Sequence, residues 1–129
     1  MATKKVKTSE ILQEIADSLD DFVGASVVGI DGMSIANLIV ERGFSEEKAS
    51  AALSQLVKQA TSSSDAMDAG EFEETITTSE KYMFITRPLG KGKFFMQLIL
   101  KATGNIGAAR MYLEEHEEAL LDSLPASAR

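Results

Sequence analysis

The dipeptide Asp31-Gly32, set in the stretch Gly24 to Val40 (GASVVGIDGMSIANLIV), constrains this chain more than any other feature. Both residue types tolerate the positive φ of a tight turn. The residues on either side are small, β-branched or aliphatic, and the combination predicts a two-residue β-hairpin. The second strand, Met33 to Val40, shows no clean alternation of apolar and polar residues. A strand wet on one face would alternate, so the run predicts helices on both sides of the sheet. No catalytic side chain lies in this segment, and function has to be sought on the surfaces that it supports.

Upstream, Thr8 or Ser9 is placed to cap a first helix with Glu10 in its first turn. Ile11, Leu12, Ile15, Leu19 and Phe22 then recur at helical spacing, opposite Glu14, Asp17, Asp20 and Asp21, and the helix should end before Gly24. Downstream, the loop Glu41-Arg42-Gly43-Phe44 leads to Ser45, a good N-cap followed by Glu46 and Glu47. Ala49, Ala52, Leu53, Leu56, Val57 and Ala60 form the apolar stripe of a second helix, and small residues continue through Ser62, Ser63, Ser64 and Ala66. Small residues let a second helix or a sheet approach closely, although alanine is also simply a good helix former. Thr61 to Ser64 is helix-neutral at best, so the helix either breaks there or continues to Asp68 with Gly70 as its terminator.

Phe72, Glu74, Ile76 and Thr78 alternate with Glu71, Glu73, Thr75 and Thr77, which predicts a polar third strand suited to a sheet edge. Tyr82 to Leu89, ending at Pro88, is apolar on both faces around Met83-Phe84-Ile85. Gly90-Lys91-Gly92 connects it to Lys93 to Lys101, the best candidate for the central strand. Asn105 then caps a last helix carrying Ile106, Ala109, Leu113, Leu120 and Leu124, and Pro125 stops it. Helix, two strands, helix, three strands and helix, joined largely by short turns, make an α+β fold. One mainly antiparallel sheet lies between helices as an α/β sandwich.

The 129 residues suit one domain, expected over 9–124 with a basic tail at 1–8 and a short tail at 125–129. There is no cysteine, which removes disulfides, thiolate metal sites and thiol nucleophiles together. No secretory h-region and no apolar run long enough to span a bilayer occur, and a cytoplasmic protein is the default expectation. The net charge of −7 argues against general nucleic-acid affinity. Lys4, Lys5 and Lys7 make the amino terminus basic, while Glu114, Glu115, Glu117 and Glu118 make the last helix acidic. Such runs are solvated faces or charged docking surfaces.

The search for chemistry returns absences. His116 is the single histidine, set among glutamates where a surface role is the better reading than a weak metal site. No Gly-x-Ser-x-Gly elbow is present. Gly90-Lys91-Gly92-Lys93 lacks the spacing of a phosphate loop and reads as a hairpin turn, and Gly104-Asn105-Ile106-Gly107 reads as a helix cap before an anion site. No catalytic residue, cofactor or metal is expected, and the residues speak for a module that binds other proteins.

The chain resembles the roadblock/dynein light-chain family at two places. One is the hairpin, with small and apolar residues, then Asp31-Gly32, then an apolar and a small residue; the other is Gly104-Asn105-Ile106-Gly107-Ala108-Ala109-Arg110 at the start of the last helix. The resemblance covers about 9–124 in the same element order. It implies a five-stranded antiparallel sheet in the order 2-1-5-4-3, profilin- or longin-like, with the second helix on one face and the first and last on the other. It also implies a homodimer through the second helix and third strand, which here places Ala52, Leu56, Gln59, Ser63, Phe72, Glu73, Thr75 and Thr77 in the interface. Members of the family partner Ras-like small GTPases, as GTPase activators or scaffolds, and serve as dynein light chains. On the precedent of the bacterial gliding-motility regulators, one GTPase meets a helix pair, here near Lys48, Gln55 and Gln59. Arg42 is a weak candidate for an arginine finger, and any activation would work by ordering the GTPase's own switch residues. Two other readings stay open: a structural adaptor with no nucleotide-linked role, and a small-ligand sensor.

Overall fold

The computed structural model describes residues 7–125. Its elements are α1 (Thr8–Asp17), β1 (Phe22–Gly29), β2 (Ser34–Ile39), α2 (Glu46–Ala66), β3 (Thr75–Thr78), β4 (Tyr82–Leu89), β5 (Phe94–Lys101) and α3 (Ile106–Ser123). All five strands join one antiparallel sheet in the order β2-β1-β5-β4-β3, with β5 at the centre as its composition predicts. Lys4, Lys5 and the chain after Pro125 lie outside the described residues.

The β1–β2 hairpin turns at Asp31-Gly32, but its loop is longer than the expected two residues. Gly29 N–H donates to the Met33 carbonyl at 2.8 Å and Gly32 N–H to the Gly29 carbonyl at 2.9 Å, which closes a three-residue loop of Ile30, Asp31 and Gly32. This is a tight turn followed by one left-handed residue, and only Gly32, at φ +90°, needs the positive region. Asp31 serves through its side chain, whose Oδ1 accepts from Met33 N–H at 3.0 Å. The partner register then slips by one residue: Val27 faces Ala36 and Val28 faces Ser34, so Ile35 is left over as a bulge.

Every residue of β1 is buried, and so is β5 from Phe95 to Leu100. On one face Ala25, Val27, Ile85, Met96, Leu98 and Leu100 meet Ile11, Leu12 and Ile15 of α1 and Ala109, Leu113 and Leu120 of α3. On the other, Val28 and Phe95 meet Leu53 and Val57 of α2 in a much smaller cluster. The middle of that second face is polar. Gln97 Nε2 donates to Ser26 Oγ at 2.6 Å and to Ser50 Oγ at 3.0 Å, and the Ser50 hydroxyl in turn donates to the Glu46 carboxylate. The small residues of α2 therefore act first in packing the helix against the sheet, with Ser50 and Ser54 turned inward.

Coverage on both faces, expected for β2, is incomplete: α2 reaches the hairpin, where Ser54 and Ala51 lie closest to Gly32, but leaves Ile35 and Asn37 exposed. A helix about 10 Å across covers roughly two strands spaced about 4.8 Å apart. Two helices therefore shield most of one face, and α2 alone leaves the margins of the other bare. Ala36 and Leu38 of β2 pack toward the larger core, while Ile35 and Asn37 are exposed.

Several boundaries move for identifiable reasons. The N-cap of α1 is Lys7 without a side-chain bond, and Thr8, inside the helix, shares a 2.6 Å hydrogen bond with Ser123 of α3 instead of capping. The helix stops at Asp17, and Leu19 and Phe22 reach the same core from the connection and from β1. α2 runs unbroken through Thr61 to Ser64, where Thr61 Oγ1 donates to the Val57 carbonyl at 2.8 Å, and it ends at Ala66 before reaching Asp68. β3 keeps only Thr75–Thr78, because the residues before it turn toward α2 and α3, and β5 begins at Phe94, leaving Lys93 in the turn. Pro88 sits inside β4 beyond the reach of β3, which pairs only with Met83 to Thr86, so its missing N–H breaks no ladder there. Ser45 and Asn105 cap as expected, accepting from Lys48 N–H at 3.2 Å and Ala108 N–H at 3.0 Å. Replacing Asn105 with Ala should lower unfolding free energy by about 1 kcal/mol with an unchanged urea m-value, as a lost cap alone would.

Candidate functional site

The N-terminal half of α2 stands away from β3 and β4, and the space between them is a largely apolar depression. Phe44, Lys48, Ala49, Ala52, Leu53 and Leu56 form one wall and Thr77, Tyr82 and Phe84 the other, around 430 Å³. The opening follows from the sequence of α2. Leu53 and Val57 point at the sheet, which turns Leu56, one residue before Val57, sideways and leaves it 43% exposed. Thr75 and Thr77 pair with Thr86 and Phe84, and so belong to the α2 side of the sheet.

An aromatic ladder forms the floor of this groove. Phe44 meets Tyr82 edge-on at 5.3 Å between centroids and 81° between planes, and Tyr82 meets Phe84 at 6.1 Å. The Tyr82 hydroxyl donates to the Glu41 carboxylate. That hydrogen bond, followed by desolvation and by the carboxylate's charge, raises the phenol above its ordinary value of 10. The ladder ties the loop before α2 to the sheet and orients the first turn of the helix.

The structure brings Ala52, Leu56 and Thr77 to this groove, with Lys48 on its rim. Gln59 is exposed one turn on and donates to Ser63 Oγ at 3.2 Å. Glu73 is exposed outside β3, and Thr75 is half-buried within it. Phe72 is separated from the rest: it packs against the smaller core and lines a different cavity. Of the residues expected at a GTPase, Lys48, Gln55 and Gln59 lie exposed along α2, and Arg42 is exposed in the loop before it.

The second cavity, 470 Å³, lies at the other end of α2. Ile30, Val57, Phe72 and Pro88 make its apolar lining, and Lys58, Lys91, Asp65 and Glu71 its charged rim. Elsewhere, Glu74 joins Arg87 at 3.5 Å and Arg110 at 2.9 Å, tying the lead-in of β3 to β4 and α3. His116 spans the two helices of the other face, with Nδ1 donating to the Tyr112 carbonyl at 2.7 Å and Nε2 against Glu14 at 3.2 Å. No group of three or more metal-ligating side chains is placed for an ion among the described residues. Gly90 and Gly92 both take positive φ in the β4–β5 turn, as a hairpin requires.

Sequence reasoning missed Phe44, Tyr82 and Phe84 as one surface. The spacing of Tyr82 and Phe84 by two residues placed them on one face of a strand. Nothing in the sequence tied Phe44 or Glu41 to them across about forty positions.

No family model and no curated protein matches the sequence. Solved structures do match in fold. MglB of Myxococcus xanthus superposes with a TM-score of 0.80 at 11% identity, covering 92% of this chain and 95% of that one. An MglB with a tetrameric arrangement gives 0.77 at 14% identity over 88% and 85% of the two chains. A Roadblock/LC7 domain from Streptomyces avermitilis gives 0.73 at 12% identity over 90% and 99%. The fold of this chain is that of a roadblock-type domain, resembling these MglB structures across nearly its whole length.

The Tyr82–Glu41 contact has a measurable signature. With Tyr112→Phe leaving one tyrosine, the phenol should titrate above pH 10 and return toward 10 in Glu41→Gln, followed by ultraviolet absorbance. A phenol raised in the folded state holds its proton longer than in the unfolded chain. Its contribution is therefore complete below pH 10 and is lost as pH rises through the folded value, and urea denaturation should show this loss only while Glu41 is present.

Proposed function

We propose that residues 9–124 form a roadblock-type regulatory domain that dimerises through α2 and β3 and binds a Ras-like small GTPase. The observation that carries this reading is the groove beside α2. An apolar wall that includes a half-exposed leucine stands next to an edge strand, so a second copy could cover Leu56 and Ala52 while its own strand continues the sheet at Thr75 and Thr77. Burying such surface is worth about 25 cal/mol per Å². The proposed interface extends to Gln59, Ser63 and Glu73, and to Phe72 at the far end of α2, where it packs on the smaller core. Support also comes from the fold shared with MglB structures, one of them in a tetrameric arrangement.

The GTPase would meet the outward side of the paired helices at Lys48, Gln55 and Gln59, with Arg42 at the margin. The proposed role is to order the GTPase's own switch segments, or to hold the GTPase in place, without chemistry of its own. Mixing the protein with a small GTPase encoded beside it, loaded with GTP or GDP, and measuring complex mass and GTP turnover tests this directly. Binding indifferent to the nucleotide would favour a structural adaptor, and no binding in either state would remove the GTPase.

A small-ligand sensor is a second reading favoured by one observation, the 470 Å³ cavity between α2 and Phe72. A metabolite screen by thermal shift separates it, because a ligand bound to the folded state raises Tm by mass action. For the α2–β3 dimer, Leu56→Asp should leave the chain folded and abolish association through that contact, so that its assembly is smaller than the wild type's. The side chain is half-exposed in the single chain, so the charge is tolerated there but not in a buried interface. Sedimentation velocity together with circular dichroism reads both properties.

A further inference from the structure

We propose that the β2 edge of the sheet is a second self-association surface, where β2 of one copy pairs antiparallel with β2 of another across a two-fold axis. This goes beyond the α2–β3 dimer and uses the opposite margin of the molecule. β2 ends the strand order and pairs only with β1, so its outer backbone groups have no strand beside them. From Met33 to Val40 it carries no charged residue and no proline. Met33, Ile35 and Val40 are 70%, 49% and 59% exposed along it.

The two edges differ in how they are protected. β3 is four residues long and is bracketed by Glu71, Glu73, Glu74, Glu80 and Lys81, which is how an edge is kept from indiscriminate pairing. β2 is six residues long, and its protection is confined to its first half. There Ile35 bulges, Ser34 Oγ donates to the Ala36 carbonyl at 3.3 Å and Asn37 Nδ2 donates to Ser34 Oγ at 3.3 Å. Beyond Asn37 the edge through Leu38, Ile39 and Val40 has neither charge nor bulge.

The occupant is a second copy because self-pairing is what this edge satisfies. In a two-fold pairing each residue faces its own sequence, so a charged strand would oppose like charges, and Ser34 to Ile39 has none. The flanks favour the antiparallel sense. Asp31 lies at one end of β2 and Arg42 at the other, where the Glu41 carboxylate beside it is engaged by the Tyr82 hydroxyl. Antiparallel copies therefore bring each aspartate toward the other copy's arginine, whereas parallel copies would set Asp31 beside Asp31.

The test uses the full chain and four substitutions. Sedimentation equilibrium of the wild type should show mass rising with concentration beyond a dimer. Leu56→Asp should still dimerise, and adding Ile35→Lys to it should give monomer with unchanged circular dichroism. The chain has no cysteine, so Asn37→Cys in the Leu56→Asp background supplies a single thiol. It should oxidise to a covalent dimer at least about tenfold faster than Glu118→Cys, because pairing raises the effective concentration of the two thiols. The proposal is overturned if Leu56→Asp stays monomeric at every concentration, or if its dimers survive Ile35→Lys and Asn37→Cys cross-links no faster than Glu118→Cys. Failure of the α2–β3 reading looks different: Leu56→Asp would then match the wild type, and Ile35→Lys alone would give monomer.

Discussion

The antiparallel pairing of β1 with β5 holds the other elements in place. Gly24 to Gly29 lie against Ile99 to Phe94 in unbroken register, and side chains of both strands are buried on both faces. Two adjacent strands that are largely apolar on both faces demand cover above and below. That demand recruits α1 and α3 to one face and α2 to the other. At Gly24 the strands approach closely enough that a Cβ would meet the end of the Ile39 side chain, which would have to move aside.

The two covers are unequal, and the difference shapes the surface. α1 and α3 seal their face with a large aliphatic core and are held to one another through Thr8–Ser123 and His116–Glu14. α2 rests on a small apolar cluster and a buried amide and hydroxyl row at Ser26, Gln97 and Ser50. A polar seam of this kind holds a helix in one register by directional bonds while contributing less hydrophobic stabilisation. α2 therefore presents a long outward side, and both sheet margins next to it stay open.

Charge reinforces the asymmetry. α1 and α3 together carry Glu10, Glu14, Asp17, Glu114, Glu115, Glu117, Glu118 and Asp122 against Arg110 alone, which matches the net charge of −7 of the entire chain. Two identical acidic faces repel one another, whereas the α2 side is nearly neutral. Of the exposed large apolar side chains among the described residues, Met33, Ile35, Val40, Leu56 and Met67 lie on or beside α2 and β2 and Ile76 on β3, while Met111 alone lies on the acidic helices.

Much of this was legible in the residues. Ser45 and Asn105 announced the starts of two helices because a cap is a local matter of one side-chain oxygen and one backbone N–H. The buried strands announced themselves by lacking any polar alternation, and the resemblance supplied the strand order that the fold then showed. What local pattern could not determine was coverage and convergence. Met33 to Val40 is as apolar as an interior strand, yet β2 is an edge, because the strand order places only β1 beside it, and the helices leave Ile35 uncovered. Leu56 belongs to the same stripe as Leu53 and Val57, yet only those two are buried, since which side of α2 meets the sheet depends on Gln97 and Phe95 far along the chain. Glu41, Phe44 and Tyr82 become one group only when the sheet brings the start of β4 beneath the loop before α2. By itself, then, the sequence determined the helices and the inner strands, carried by neighbours along the chain. Only the tertiary structure decided which apolar residues stay uncovered, because exposure is set by the finite width of the elements packed above them.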